Sequence, residues 1–484
     1  MNRQIRRLGI ALLVLFALLF LQLNNLQLRQ HHKLANAPGN VRTVLNSFAV
    51  ARGDIQSSDG VVVAKSVPSN DLYKYQRQYP TGPLFAHIVG YDSLIYGSDG
   101  VEATYDAQLT GHNLPLRNLK DLLGPHTSTG NLTLTISDHL QSLAASQLGS
   151  KHGAVVAINP TTGALLAMYS SPSYDPNPLV AHVSSTIRSA WNAYQADPSQ
   201  PMLARAFRRS YPPGSTFKVV DTAAVLDLAP QLATKSYPVL RSLTLPNTTH
   251  TLSNFAHEAC GGMLPELLKV SCDTGYGQIG LDLGAQKLYQ EAHGFGFDQH
   301  PPLDLPSPAA STFPPPSAFA RDLPGLAFSA IGQQNVSATA LQMAMVAAAI
   351  ADKGTIMTPH VMAQIRDTQG NVVETYHPHS WLQATSAATA GTVTSMMIGV
   401  VQGGTATNMA IPGTQVAAKT GTAQGAGTSN TTWMVAFAPA QNPTVAVAVA
   451  VEPQPSFGPN PTGAEIAGPI ARAMLVAALA PPAH

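Results

Sequence analysis

The segment Tyr211-Pro212-Pro213-Gly214-Ser215-Thr216-Phe217-Lys218-Val219-Val220 sets a hydroxyl and an amine three residues apart, behind a loop marked by proline and glycine. The apolar residues that follow predict a helix starting near Ser215, which puts Ser215 and Lys218 on one face. A serine hydroxyl is a weak nucleophile until a neighbouring base takes its proton, and a partly desolvated lysine is such a base. A nucleophile at a helix N-terminus also has the positive end of the helix dipole where an oxyanion would form. The competing reading is a chance Ser-x-x-Lys on a solvated helix, and the pattern occurs once in the chain.

Two further clusters carry chemistry. In Ala417-Ala418-Lys419-Thr420-Gly421-Thr422-Ala423 a short apolar lead-in suits a strand, with Lys419 and Gly421 on one side. The lysine suits a substrate carboxylate, and the glycine lets an extended substrate approach the strand backbone; in isolation Lys-Thr-Gly is more often a turn. Val270-Ser271-Cys272-Asp273-Thr274 is a polar cluster closing an apolar segment, which alone reads as a helix cap.

These residues need a frame. Ser137–Leu148 has apolar positions at Leu140, Leu143, Ala144 and Leu148 behind Ser137 as N-cap, and predicts an amphipathic helix. Two strand-like runs follow, 154–158 and 164–169, joined by a five-residue turn over 159–163. A second pair covers 432–438 and 444–451, and 465–480 reads as a terminal helix. The long stretch between the pairs is rich in helices and loops. The expected fold is α+β, an antiparallel β-sheet flanked by helices and closed by segments from both ends. From about Arg42 to Gly130, short strand-like pieces and many turn residues suggest a smaller domain, preceded by a polar stalk from Leu26 to Asn40. The expected division is 1–7 as a tail, 8–23 as an anchor, 24–135 as stalk and small domain, and 136–484 as the large domain.

At 484 residues with 11% charged and 45% hydrophobic, the chain can build large cores and is not of the disordered class. A net charge of +1 with no long basic run excludes a nucleic-acid reading. Arg3, Arg6 and Arg7 precede an apolar run from Leu8 to Leu23, interrupted by Gln22. A spanning helix usually takes about 20 residues, and a signal peptide competes with it. The Ala35–Ala37 triplet lies far beyond the run, and Pro38 is a poor residue at a cleavage junction. A retained single-pass anchor is therefore expected, with its arginine end in the cytoplasm and the rest of the chain outside. For Cys260 and Cys272 that compartment leaves two readings open, free buried thiols or a disulfide. His257 with these cysteines lacks a fourth ligand and conventional spacing, so no metal site is expected.

Taken together, Ser-x-x-Lys, a Ser-x-Asp cluster and Lys-Thr-Gly stand in the order that β-lactamases and penicillin-binding proteins use. The chain resembles a class B penicillin-binding protein, in layout most like the actinobacterial penicillin-binding protein A group. Arg52-Gly53-Asp54-Ile55, His87–Tyr91 and Gly100-Val101-Glu102 resemble that family's N-terminal pedestal, and Gly332-Gln333 with Leu341–Ala344 resembles its segment before the third motif. The resemblance implies a membrane-anchored serine DD-transpeptidase that cross-links stem peptides of peptidoglycan and is acylated by β-lactams. It implies Ser215 as nucleophile, Lys218 as its base, and Ser271 as proton relay to the leaving amine. Lys419 and Thr420 would hold the terminal carboxylate, and the amides of Ser215 and Thr422 would form the oxyanion hole. Arg52, Gly53 and Glu102 would brace the pedestal against the catalytic domain. No metal or organic cofactor is implied. The chain holds no room for a glycosyltransferase domain, so a partner of the SEDS family is implied for glycan polymerisation. The family's middle motif ends in Asn where this chain has Asp273; a carboxylate only accepts hydrogen bonds and would favour charged lysines beside it. A β-lactamase has no use for the anchor and pedestal, and a sensor would carry a cytoplasmic module; a non-catalytic β-lactam-binding scaffold stays open because of Asp273.

Overall fold

The computed structural model describes residues 2–26, 48–111, 129–424, 430–458 and 460–481. Two compact units result, Met1–Ala51 with Ser66–Gln76, and Arg52–Lys65 with Arg77–His484. In the first, one helix runs from Asn2 to Asn24; an 18-residue window within Arg3–Asn24 has a mean hydropathy of 2.0 and is unburied. By length and composition it is able to cross a membrane. Most of the expected stalk, and the Ala35–Ala37 triplet with Pro38, fall outside the described residues.

The second unit is built on a five-stranded antiparallel sheet in the order Ala417–Gln424, Asn430–Ala438, Val445–Val451, Gly153–Ile158, Leu165–Ser171. The sheet closes as the sequence pattern predicts: the C-terminal hairpin pairs with the hairpin that opens the domain, Val449 opposite Val155. Val445–Val451 is buried at every position, as an interior strand covered on both faces must be. The helix Gly463–Leu479 packs on this sheet, its N-terminus closed by a capping box between Thr462 and Glu465. Ser137 caps the helix Asp138–Leu148 by accepting from the Leu140 amide. The helix Ala340–Ala351 is buried from Ala340 to Ile350 and apolar all round, a core helix rather than a surface one.

A second sheet lies in the same unit. Ile55–Gln56 runs parallel to Asn131–Leu134, which pairs on its other side with Met362–Arg366. A segment more than two hundred residues downstream thus completes the sheet begun near Arg52. The Asp304 carboxylate accepts from the amides of Val361 and Met362 at 2.7 and 2.9 Å and from the Tyr105 hydroxyl at 2.7 Å. Asp99 receives both terminal nitrogens of Arg208. These contacts tie residues 99–105 to residues 208, 304 and 361–362, a kind of contact the sequence suggested for Arg52 and Glu102. Arg52 and Glu102 instead form an inner network: Glu102, wholly buried, accepts from Arg52 at 2.9 Å and from Arg77 at 2.6 Å.

Burial alone would raise the Glu102 carboxyl, but Arg77 and Arg52 hold it below its ordinary value. A depressed carboxyl contributes stability at neutral pH that is lost as the pH falls through its folded value. Glu102→Ala would remove the carboxylate that Arg77 and Arg52 share, with Asp106 and Asp92 still beside Arg52, a loss of about 3 kcal/mol. Denaturant unfolding of the full chain in detergent at neutral pH measures it, and the difference from wild type should shrink towards acid pH.

Candidate active site

The Ser215 segment is pinned before its helix begins. Tyr211 exchanges both backbone hydrogen bonds with Ala338, at 2.9 and 2.8 Å. Trp433 donates its indole N–H to the Pro212 carbonyl at 2.9 Å, and the Gly214 amide donates to the Gly332 carbonyl at 2.9 Å. Ser215 lies in a single 3-10 turn, Gly214–Phe217, and the α-helix proper is Lys218–Leu228. The nucleophile candidate is therefore one tight turn ahead of the helix that the sequence started near it. That helix is buried from Lys218 through Val225, and Phe217 anchors the turn between Phe297 and Phe313 at 5.4 and 5.5 Å.

Ser271 follows the short helix Leu264–Lys269 in a left-handed conformation, φ 60°. Such a backbone costs a non-glycine residue on the order of 1–3 kcal/mol. It is held by the Ser271 and Cys272 amides donating to Leu268 and Leu267, by the Thr274 amide donating to Asn254 at 2.8 Å, and by a Cys260–Cys272 disulfide. The open question of the thiols closes here, and His257 has no thiolate beside it. Asp273 opens the next helix, Asp273–Leu283.

The three motifs meet at Ser271. Lys218 Nζ donates to Asp273 Oδ1 at 2.6 Å and the Ser271 carbonyl at 2.8 Å, with the Ser271 hydroxyl at 3.4 Å. Lys419 Nζ donates to the Ser271 hydroxyl at 2.8 Å and to the Thr420 carbonyl at 2.9 Å. Both lysines are fully buried. Burial pushes the Lys218 amine below its ordinary value, while Asp273 pulls the other way. Lys419 is pushed well below by burial and by the charge of Lys218. The Ser215 hydroxyl makes no hydrogen bond among the described residues.

These groups open on a cleft of about 1280 Å³ lined by Ser215, Ser271, Asp273, Thr405, Thr420 and Thr422 among others. The strand's alternation sorts its residues. Thr420 and Thr422 face the cleft, and Thr420 shares a hydrogen bond of 2.7 Å with Thr405. Lys419 and Gly421 point away from it, towards the Ser215 and Ser271 segments. A Cβ on Gly421 would lie 2.8 Å from the Thr216 methyl and 2.9 Å from the Pro213 carbonyl. Its missing side chain is thus required by packing against the nucleophile turn, a nearer reason than a substrate's approach. Sequence reasoning did not find Thr405, Trp433 or Asn254 as supports of the site. A threonine after two glycines, a tryptophan in a strand and an asparagine in a loop carry no pattern.

Gly332, singled out only as part of a family segment, packs directly against the nucleophile turn. With φ +69°, a Cβ there would stand 2.2 Å from the Gly214 carbonyl. Gly332→Ala should push the Ser215 turn out of place, and a shift near 1 Å costs reactivity on the order of 10²-fold. Stopped-flow acylation by a reporter β-lactam, with melting temperature as control, is the measurement.

Comparison with known proteins agrees along the chain. Residues 153–475 match the model of the penicillin binding protein transpeptidase domain, and 52–132 match that of the penicillin binding protein A dimerisation domain. The peptidoglycan D,D-transpeptidase PbpA of Mycolicibacterium smegmatis is 38% identical over 495 residues, 99% of each chain. PbpA of Mycobacterium tuberculosis is 35% identical over 496 residues, again 99% of each. Among solved structures, the ceftriaxone acyl-enzyme complex of penicillin-binding protein A from M. tuberculosis is similar with a TM-score of 0.82 at 35% identity. That match covers 90% of this chain and 100% of the other. The penicillin G acyl-enzyme complex of the same protein gives 0.81 at 35%, over 89% and 100%.

Proposed function

This chain belongs to the penicillin-binding protein transpeptidase family, and from that premise we propose that Ser215 is the residue acylated in its peptidoglycan DD-transpeptidase reaction. The observation that carries the reading is the convergence of two buried lysines on Ser271, beside a cleft that Ser215 lines. The Ser215 hydroxyl attacks the penultimate D-alanine carbonyl of a stem peptide, and the terminal D-alanine departs with a proton. The amine of a second stem peptide then attacks the acyl-enzyme. Lys218, Ser271 and Lys419 form the hydrogen-bonded set that assists the acylation, and Asp273 sets its charge. The hydroxyls of Thr420, Thr422 and Thr405 are those presented to the terminal carboxylate. The amides of Ser215 and Thr422 serve the oxyanion, in a partly buried setting where fixed dipoles act strongly.

The same reading assigns residues 24–135 to the stalk and pedestal and 136–484 to the transpeptidase domain. The apolar helix is the membrane anchor, with Arg3, Arg6 and Arg7 on the cytoplasmic side by the positive-inside rule. The catalytic domain then works outside the membrane, where a disulfide persists. Glycan strands come from a separate polymerase, for which a SEDS-family glycosyltransferase is the proposed partner.

The full chain in detergent should form a covalent adduct with a fluorescent penicillin, mapped by peptide mass to Ser215 and abolished in Ser215→Ala. A folded wild-type chain that forms no adduct would remove the nucleophile assignment and favour a non-catalytic scaffold.

A further inference from the structure

Two buried amines share one hydroxyl and one carboxylate. Lys218 Nζ is 2.6 Å from Asp273 Oδ1, whereas Lys419 Nζ donates to the Ser271 hydroxyl and the Thr420 carbonyl. The other groups facing Lys218 do not change the balance. Asp221, one turn along its own helix, is wholly buried with neither oxygen hydrogen-bonded among the described residues. Burial pushes its carboxyl well above the usual range, so it offers no countercharge. The Tyr276 ring, from the helix that begins at Asp273, lies 5.3 Å from Lys218 Nζ and favours a cation there. Among the described residues no carboxylate pairs with Lys419; it faces the charge of Lys218, which Asp273 offsets only in part. Two ammoniums against one carboxylate would leave a net buried charge, and the cheaper arrangement leaves one amine neutral.

We propose that in this enzyme Lys218 is a fixed cation, locked by Asp273, and that Lys419, acting through Ser271, accepts the proton released when Ser215 is acylated. The assignment rests on the reading of Ser215 as nucleophile. Lys419 is not among the residues lining the cleft, so its amine is better placed to serve Ser271 than a substrate carboxylate. Burial and the charge of Lys218 disfavour its charged form, whereas Lys218 has Asp273 at 2.6 Å to hold its own. In acylation the Ser215 oxygen bonds to the carbonyl carbon, and its proton passes to the Ser271 oxygen. The Ser271 proton passes to the lone pair of Lys419, and the carbonyl π pair moves onto oxygen. On collapse the C–N bond breaks, and the Lys419 ammonium returns the proton through Ser271 to the departing amine. Lys218 keeps its proton throughout. It is a positioning residue, gripping Ser271 by its carbonyl and hydroxyl. An asparagine at 273 would supply no anion, so the division of labour follows from the one position at which this chain departs from its family's motif.

The test uses the full chain with lysine labelled at the terminal carbon and nitrogen, followed by NMR across pH, alongside the pH dependence of penicillin acylation. Acylation should rise with pH as the base loses its proton, and one lysine resonance should titrate with the same midpoint. That resonance should vanish in Lys419→Arg and persist in Lys218→Arg; alanine serves the assignment where arginine does not fit. Arginine stays protonated. Lys419→Arg should therefore lose the whole general-base contribution, about 10²–10⁴-fold. Lys218→Arg should be slowed but keep the wild-type acid limb. A titrating resonance that belongs to Lys218, or an acid limb abolished by Lys218→Arg and kept by Lys419→Arg, overturns the proposal. Wild-type protein that forms no adduct on Ser215 instead overturns the reading beneath it, so the two failures are distinguishable.

Discussion

The 2.6 Å ion pair between Lys218 and Asp273 is the contact on which the site depends. It joins the helix that follows the nucleophile turn to the helix that follows the second motif, and both begin at those residues. Each charge is a cost in a buried setting unless the other is present, and removing one partner of such a pair is strongly destabilising. Ser271 sits between them in a backbone conformation that no local preference supports. Its carbonyl accepts from Lys218 and its hydroxyl from Lys419, so the two lysines hold the strained residue while it links them. The disulfide from Cys260 closes the remaining side. The strain is sustained by contacts from four separate segments, the condition under which such strain persists at a functional site.

The second constraint is close backbone approach. Gly332 and Gly421 each leave room for the Pro213–Gly214 backbone to lie against a neighbour with no side chain between. Trp433 then covers the turn and fixes the Pro212 carbonyl. The proposed nucleophile is thereby mounted on three elements at once: the Ala338 bridge just ahead of the Ala340–Ala351 helix, the motif strand, and the strand beside it. Ser215 itself needs no hydrogen bond to be placed, because its backbone is fixed on both sides. Its hydroxyl is left free for the substrate.

Much of this was legible in the sequence, and the reasons differ by element. The central sheet announced itself because its strands are near-continuous runs of Val and Ala at both ends of one domain, and only antiparallel closure pairs them. The Ser137 cap and the terminal helix carry local signals that tertiary structure did not override. The pairing of Asn131–Leu134 with Met362–Arg366 was not legible, since neither strand encodes its partner and the connection skips most of the domain. The inner network of Arg52 and Glu102 was not legible for a similar reason. Charged residues near a boundary look like bridges, yet Arg77 captured Glu102 from within the same segment, and Asp99 and Asp304 made the longer reach. Strand alternation put Lys419 and Gly421 on one side, but only the structure shows that this side faces the nucleophile turn rather than the cleft.

That orientation changes what the third motif does. A lysine directed into a cleft is a binding group, and its charge is its function. A lysine directed into the wall, with a serine hydroxyl as partner and no carboxylate paired with it, is held where its charged form is disfavoured. In the proposed reaction the burden of meeting a carboxylate shifts to the threonine hydroxyls that line the cleft, Thr420 and Thr422, with Thr405 beside them. Hydroxyls bind anions less strongly than an ammonium does, but they are neutral and reorient readily. On the proposed assignment, binding and proton transfer fall on the two faces of one strand, and a single-residue slip in its register would exchange them. The full eight-residue pairing of this strand with Asn430–Ala438, from Ala417 opposite Phe437 to Gln424 opposite Asn430, is what holds that register.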